Sequence, residues 1–283
     1  MSQSLRRFCF RDKQWIFDGK TYILAIMNLT PDSFSDGDKH FQDPGFQVEK
    51  AARLLEDGAD ALDLGAESTR PGHTPITEEE EWERLGPMLK HVRSAYPTVP
   101  ISVDTYKRAT AERALTEGAD MINDIWGLTR NAGMAGPIAA QGAGIILMYN
   151  TQEDPSLPVP IAAVQQFFAD ALKRTKDAGI MPDHLLVDPG VGFRLQGPSV
   201  WTILTHLGEL SGLGAGILVG QSRKRFLGKA TGIANPQDRD LATAVLSAFL
   251  SLNGTDVVRV HNPAATRQAL QIAKQWRAAG GTD

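Results

Sequence analysis

Gly58-Ala59-Asp60-Ala61-Leu62-Asp63-Leu64 closes one helical pattern and opens one short apolar run, and its grammar recurs along the chain. Gly118-Ala119-Asp120 stands before Met121 and Ile122, and Gly254-Thr255-Asp256 stands before Val257 to Val260. A glycine that ends a helix in the left-handed conformation lets the chain turn directly into a strand, so each copy predicts a helix-to-strand joint. Working outward from these three, the other runs are Tyr22 to Met27, Ile101 to Val103, Ile145 to Met148, Leu185 to Val187 and Ile217 to Val219, which brings the total to eight. They are nearly continuous rather than alternating, as expected for parallel strands covered on both faces. Between two of them Thr77 and Glu80 form a capping box, and Trp82, Leu85, Met88, Leu89 and Val92 mark the apolar face of a helix that Pro87 is expected to kink or divide.

Eight βα units in 283 residues fit a single-domain α/β (β/α)8 TIM barrel, with an open doubly wound sheet as the alternative. No low-complexity tract or long Gly/Ser linker divides the chain. Residues 8 to 18 read as a hairpin-like plug whose Phe8, Phe10, Trp15 and Phe17 cover the barrel bottom. The expected organisation is therefore an N-terminal extension at 1–20 and a barrel at 21–279.

Composition narrows the function classes. Apolar residues at 42% and charged residues at 22% support a sizeable core. A net charge of −4 removes the electrostatic footprint of a general nucleic-acid binder, so any anion site must be local. Cys9 is the one cysteine, which argues against an intrachain disulfide and a structural zinc. Neither a signal peptide nor a membrane anchor is readable at the start, and the expectation is a cytoplasmic protein with no membrane or nucleic-acid partner.

In a parallel barrel the carboxyl ends of all strands converge on one face. Just past the runs stand Asn28, Glu67 to Arg70, Asp104, Asn123 with Asp124, Tyr149 with Asn150, Asp188, Ser222 to Lys224, then Arg259 and His261. Any one of these can be a helix cap or a turn residue. Carboxylates, amides, arginines and a lysine aimed at one mouth instead describe a polar small-molecule pocket. Residues 29–44 are long and polar enough for a mobile cover, and residues 66–76 can present a guanidinium to phosphate. Ser222, Arg223 and Lys224 follow the seventh run, where barrels commonly hold phosphates. Arg259 and His261 are two apart on a strand and share a side. Gly220-Gln221-Ser222 lacks the second glycine of a nucleophile elbow, and the glycines at 212–216 precede a strand instead of following one, so neither a serine hydrolase nor a dinucleotide fold is supported.

Seven segments, in order, carry a resemblance to a known family: MNLTPDSFSDG at 27–37, DLGAESTRPG at 63–72, SVDTYK at 102–107, INDIWG at 122–127, VDPGVGF at 187–193, VGQSRK at 219–224 and RVHN at 259–262. The chain resembles the dihydropteroate synthases, pterin-binding TIM barrels of folate biosynthesis and targets of sulfonamides. The resemblance implies a transferase that joins 6-hydroxymethyl-7,8-dihydropterin diphosphate to p-aminobenzoate with Mg2+, acting as a homodimer. By the family pattern Asp188 and Asn123 meet the pterin donor edge, Asp104 and Met148 lie near the ring, and Lys224 contacts its opposite side. Asn28 would help hold Mg2+ and diphosphate, with Arg70, Arg259 and His261 on the diphosphate. Phe193 and Ser222 resemble the arylamine site, completed by Thr69 and Pro71 and by a loop carrying Asp32, Phe34 and Asp36. Asp104, Asp188, Lys224, Arg259 and His261 are the expected catalytic set.

Ala66, Tyr149, Leu195, Arg225 and Asn262 depart from common family patterns. They leave open a pterin-binding paralogue without turnover. A methyltetrahydrofolate-binding transferase domain is disfavoured because methyl transfer needs no diphosphate cradle. A Schiff-base aldolase using Lys224 is weaker still.

Overall fold

The computed structural model describes residues 6–30, 42–68, 74–151, 157–213 and 216–281. A hairpin comes first: β1 (Arg6–Phe10) pairs antiparallel with β2 (Lys13–Phe17). The eight apolar runs then become β3 (Tyr22–Asn28), β4 (Ala61–Gly65), β5 (Ile101–Asp104), β6 (Met121–Asp124), β7 (Gly144–Met148), β8 (Leu185–Asp188), β9 (Gly216–Val219) and β10 (Val257–Val260). All eight are parallel, and β10 pairs with both β9 and β3, so the sheet closes and the open alternative falls.

Several strands outrun their apolar cores. Asn28 sits opposite Gly65, Gly65 opposite Asp104, Asp104 opposite Asn123, and Met148 opposite Asp188. The polar groups expected just beyond β3, β5, β6 and β8 are therefore their terminal residues. The ladder extends to them because backbone pairing is indifferent to side-chain polarity, and it fixes each Cα more firmly than a loop would.

The repeated joints do more than turn the chain. Gly58, Gly118 and Gly254 have φ of 97°, 98° and 84°, in the left-handed region that favours glycine. The aspartate two residues on accepts a backbone N–H at the start of a neighbouring strand: Ile23 N–H donates to Asp60 at 2.8 Å, Ile101 N–H to Asp120 at 2.9 Å and Ile217 N–H to Asp256 at 2.8 Å. Each carboxylate also holds a cation, Arg267 on Asp60 and Arg93 on Asp120 at 2.6 Å, and Arg6 on Asp256 at 2.9 Å. Thr77 Oγ1 accepts from Glu80 N–H at 3.1 Å, as the capping box requires. The helix Glu78–Ala95 is not divided at Pro87, because Leu85, Met88, Leu89 and Val92 stay buried on the barrel on both sides of it.

The hairpin seals the amino-terminal end of the barrel. Phe8, Phe10, Trp15 and Phe17 are buried against inward residues of the ring, among them Leu24, Met121, Ile146 and Leu186. At the start of β7 a Cβ on Gly144 would lie 2.6 Å from Phe8 Cζ, so the strand needs glycine there to admit the plug. The opposite, carboxyl-terminal end is left open.

Candidate active site

A cavity of about 890 Å3 occupies that open end, with Asn28, Asp104, Phe193, Ser222, Lys224, Arg259 and His261 on its wall. β3, β5 and β10 deliver Asn28, Asp104 and Arg259, and the turns after β8, β9 and β10 deliver the others. Gly192, with φ of 83°, lets the turn after β8 lie against Lys224, whose Cδ would be 2.7 Å from an added Cβ. Lys224 is thereby held between two partners: its Nζ donates to Val191 O at 2.5 Å and stands 4.5 Å from the Phe193 ring centroid.

Opposite charges are interleaved around the mouth. Arg259 donates from Nε to Asp63 at 2.5 Å and from Nη2 to Asp104 at 2.8 Å. Asp63 is fully buried in β4, and its Oδ2 also accepts from Asn123 Nδ2 at 3.2 Å. Burial pushes Asp104 up to about 7, with Arg259 pulling it down and Asp63 adding to the rise. Burial lowers Lys224 to about 8 against the opposing pull of Asp188. Asp188 is itself raised by burial, which Lys224 and an N–H bond from Gly190 at 2.8 Å counter. Burial works against the charge of Arg259, but Asp63 and Asp104 outweigh it and hold this guanidinium firmly protonated.

His261 Nδ1 lies 2.9 Å from Ser222 Oγ, which also accepts the His261 backbone N–H at 3.1 Å. The two residues come from β9 and β10 exits, so the ends of the pocket expected to hold an anion and an arylamine adjoin. Asn123, Met148 and Asp188 are buried near the ends of β6, β7 and β8, and Asp188 Oδ2 and Lys224 Nζ both lie beneath Gly220, 3.3 and 3.8 Å from where a Cβ would stand. Asp32, Phe34, Asp36, Thr69, Arg70 and Pro71 lie outside the described residues.

Sequence reading passed over Asp63. The signal was present, since an aspartate inside an otherwise apolar strand is a buried charge that demands a partner. A second unforeseen network backs the cavity wall at Glu67. This carboxylate takes Lys107 Nζ at 2.5 Å, Tyr106 Oη–H at 3.2 Å and Ile76 N–H at 3.2 Å, tying residue 67 to residue 76. Buried Glu81 lies 3.5 Å from the same lysine and accepts from Thr105 at 3.1 Å and Thr110 at 2.6 Å.

The departures from the family pattern mostly have structural tasks. Tyr149 is buried edge-on to Phe167 at 5.1 Å, Leu195 is buried, and Asn262 accepts from Ala265 N–H at 3.0 Å while donating to Asp240 at 3.0 Å. A flat, polar heterocycle with a pendant anion suits a mouth in which acids, an amide, a lysine and an arginine alternate at this range.

Comparison with known proteins agrees with that chemistry. The profile of the family described as pterin binding enzyme matches residues 24–261. The dihydropteroate synthase of Synechocystis sp. is 37% identical over 273 residues, covering 93% of this chain and 94% of that protein. Among solved structures, the Xanthomonas albilineans dihydropteroate synthase with 4-aminobenzoic acid superposes with a TM-score of 0.89 at 34% identity, covering 99% of this chain and 100% of that one. The Clostridium difficile dihydropteroate synthase, solved in the presence of pteroic acid, has a TM-score of 0.82 at 34% identity, covering 95% and 98%.

Proposed function

Because the chain belongs to the pterin-binding enzyme family and its relatives across nearly its whole length are dihydropteroate synthases, we propose that its mouth condenses 6-hydroxymethyl-7,8-dihydropterin diphosphate with p-aminobenzoate to give 7,8-dihydropteroate and diphosphate. The observation that carries this reading is the convergence of Asp188 with Lys224 and of Arg259 with Asp104, Asp63 and Asn123 on one open end of the barrel.

In this reading Asp188 and Asn123 accept and orient the guanidine-like edge of the pterin, and Lys224 meets its other polar side. Arg259 uses two N–H groups on carboxylates and keeps three for the diphosphate, beside His261 and, by the family pattern, Arg70. The C–O bond breaks with its electron pair going to diphosphate. The resulting methylene cation is delocalised into the ring and stabilised by the nearby carboxylates. The neutral arylamine nitrogen then forms the C–N bond and loses a proton, so no strong base is needed and positioning does much of the catalysis. Phe193 and Ser222, with Thr69 and Pro71, would hold the arylamine, and the segment with Asp32, Phe34 and Asp36 would cover the diphosphate.

Magnesium fits the donor set. Asn28 lines the cavity with an amide that has no hydrogen-bond partner among the described residues, and its oxygen is the hard ligand Mg2+ prefers beside phosphate oxygens and water. When bound there, the ion would offset charge on the leaving diphosphate. A purified-protein assay with both substrates, with and without Mg2+, tests the reading: dihydropteroate and diphosphate should form in equal amounts. Asp188→Asn should cut turnover while leaving the circular dichroism spectrum unchanged, and a folded variant of full activity would remove Asp188 from ring recognition. Pterin binding without product would select the inactive paralogue, which the buried, structural placements of Tyr149 and Leu195 do not favour.

The protein is proposed to work as a cytoplasmic homodimer. Leu241, Val245 and Phe249 stand exposed along one face of the helix Asp240–Leu252, and Ile272 and Trp276 are exposed on the helix Pro263–Ala278 that packs beside it. An apolar patch on adjacent helices is better covered by a second copy than by water. Light scattering should give twice the protomer mass, falling to one protomer for F249E/I272E. Among the described residues no helix is long and apolar enough to cross a membrane.

A further inference from the structure

The plug that seals the amino-terminal end of the barrel has a second, outer side. Side chains alternate along β1, so Phe8 and Phe10 enter the barrel while Arg7 and Cys9 lie on the other face of the hairpin. There they meet the short 3-10 turn Pro182–His184 that leads into β8. Arg7 Nε donates to Asp183 Oδ2 at 2.9 Å, and Cys9 Sγ donates to the same oxygen at 3.5 Å. His184 completes the group: one ligand atom from each of Cys9, Asp183 and His184 lies within 4.8 Å of the others, and all three residues are partly buried. Sequence spacing gives no sign of this, since Cys9 and Asp183 are 174 positions apart.

Three features suit the group to a metal ion. The first is spacing. A tetrahedral zinc-class ion holds sulfur at about 2.3 Å and oxygen at about 2.0 Å, which sets those two atoms about 3.5 Å apart. Cys9 Sγ and Asp183 Oδ2 already stand at 3.5 Å. The second is charge. A thiolate and a carboxylate together neutralise a divalent cation, and a carboxylate offers about four lone-pair sites, so the bond from Arg7 leaves Asp183 room for an ion. The third is orientation. His184 Nδ1 lies 3.3 Å from Ala143 O, which steadies the ring, and Cys9 comes from a strand paired along its whole length with β2, so the ligands are fixed from two sides. Sulfur and imidazole in one set favour zinc over magnesium.

We propose that Cys9, Asp183 and His184 form a site for a zinc-class divalent cation, with water in the fourth position, that clips the plug hairpin to the turn before β8. On binding, the thiol gives its proton to solvent, and the sulfur, a carboxylate oxygen and an imidazole nitrogen each share an electron pair with the ion. Nothing is oxidised or reduced. The site lies at the end of the ring away from the mouth, so it acts on stability and leaves turnover alone, and it does not depend on the condensation proposed above.

Cobalt(II) is the probe, because a thiolate bound to it gives a near-ultraviolet charge-transfer band and Cys9 is the single cysteine of the chain, so the band reports this site alone. The unaltered, reduced chain should develop the band to an end point of one cobalt per chain, and zinc should displace it. Cys9→Ser should abolish the band. Asp183→Asn and His184→Ala should each weaken cobalt at least about tenfold, since loss of even an outer-shell partner costs that much. Arg7→Ala is the control: it breaks the ion pair that Asp183→Asn weakens but keeps all three ligands, and should hold cobalt at least as tightly as the unaltered chain. Zinc at about a hundredfold excess over its dissociation constant should raise the thermal midpoint by about 5–10 °C, a rise lost in His184→Ala. No band at one equivalent of cobalt would overturn the site, and undiminished affinity in His184→Ala would reduce it to a thiol and overturn the ligand set. Equal losses in Arg7→Ala and Asp183→Asn would assign the effect to the ion pair and overturn it likewise. Full binding with an unmoved midpoint would overturn the clip.

Discussion

Arg259 shows how a single side chain sets the electrostatics of the mouth. Its guanidinium bridges Asp63 and Asp104 across the ring from β10 to β4 and β5, and so restrains the rise that burial imposes on Asp104, which stands at about 7. In the proposed mechanism the working form has Asp104 ionised and Lys224 charged. With Asp104 up at about 7 and Lys224 down at about 8, kcat/KM should climb through the first value and fall through the second, a narrow bell. Asp104→Asn should flatten the acidic limb and keep the basic one, and an unchanged acidic limb would assign it to another group. The same shift acts on stability with a definite sign. Between 3.8 and about 7 the folded chain keeps on Asp104 a proton that the unfolded chain releases, so this group's contribution falls as pH rises through that window. At this scale the mouth was legible wherever a polar residue ended an apolar run, as at Asn28, Asp104 and Asp188. Asp63 was not legible in the same way, because its partner Arg259 is 196 residues distant and only ring closure brings them together.

At the scale of elements, the three Gly-x-Asp joints fasten the amino-terminal ends of neighbouring strands. The glycines could be foreseen, because helix termination is local. The work of the aspartates could not, since Asp120 accepts the N–H of Ile101, 19 residues back, and pairs with both Arg93 and Lys13 at 2.6 Å. Asp120→Ala should destabilise the fold by about 3–5 kcal/mol, because it leaves cations and a strand N–H unpaired in a buried setting. Asp60→Ala, at a more open joint, should cost only about 1–2 kcal/mol. Denaturant midpoints for the two variants check the ranking, and equal losses would show that burial does not decide it. The strand ends taught a related lesson. Hydropathy stopped β6 at Ile122, yet the ladder runs on through Asn123 and Asp124, because register is imposed by the neighbours on either side.

Across the whole molecule, stability and chemistry occupy opposite ends of the ring. The aromatic plug could be read from Phe8, Phe10, Trp15 and Phe17, whereas eight runs favoured a barrel and only the pairing of β10 with both β9 and β3 removed the open sheet. Phe8→Ala should remove about 3–5 kcal/mol by opening a cavity among Phe10, Trp15 and the inward residues of the barrel. Turnover below the unfolding temperature should stay within about twofold, given the distance to the mouth. A large kcat loss in a folded Phe8→Ala chain would show that the two ends are coupled. The candidate site was legible only in part. Its rigid half is described by strand ends, whereas Asp32, Phe34, Asp36, Thr69, Arg70 and Pro71 rest on resemblance, since loop sequence carries no periodicity from which position can be argued.

Arg6 clasps Asp256, and β3 finds its second neighbour only in β10. On the ribosome these partners are separated by some 250 positions, at least ten seconds of elongation at about 5–20 residues per second. Until Val257 to Val260 have left the exit tunnel, the earliest-made aromatic strands have an incomplete hydrophobic seat, and Tyr22 to Asn28 is a bare edge. Birth of this protein thus includes an interval of vulnerability to chaperone capture and misassociation, ended in one stroke when β10 docks against β3 and closes the ring.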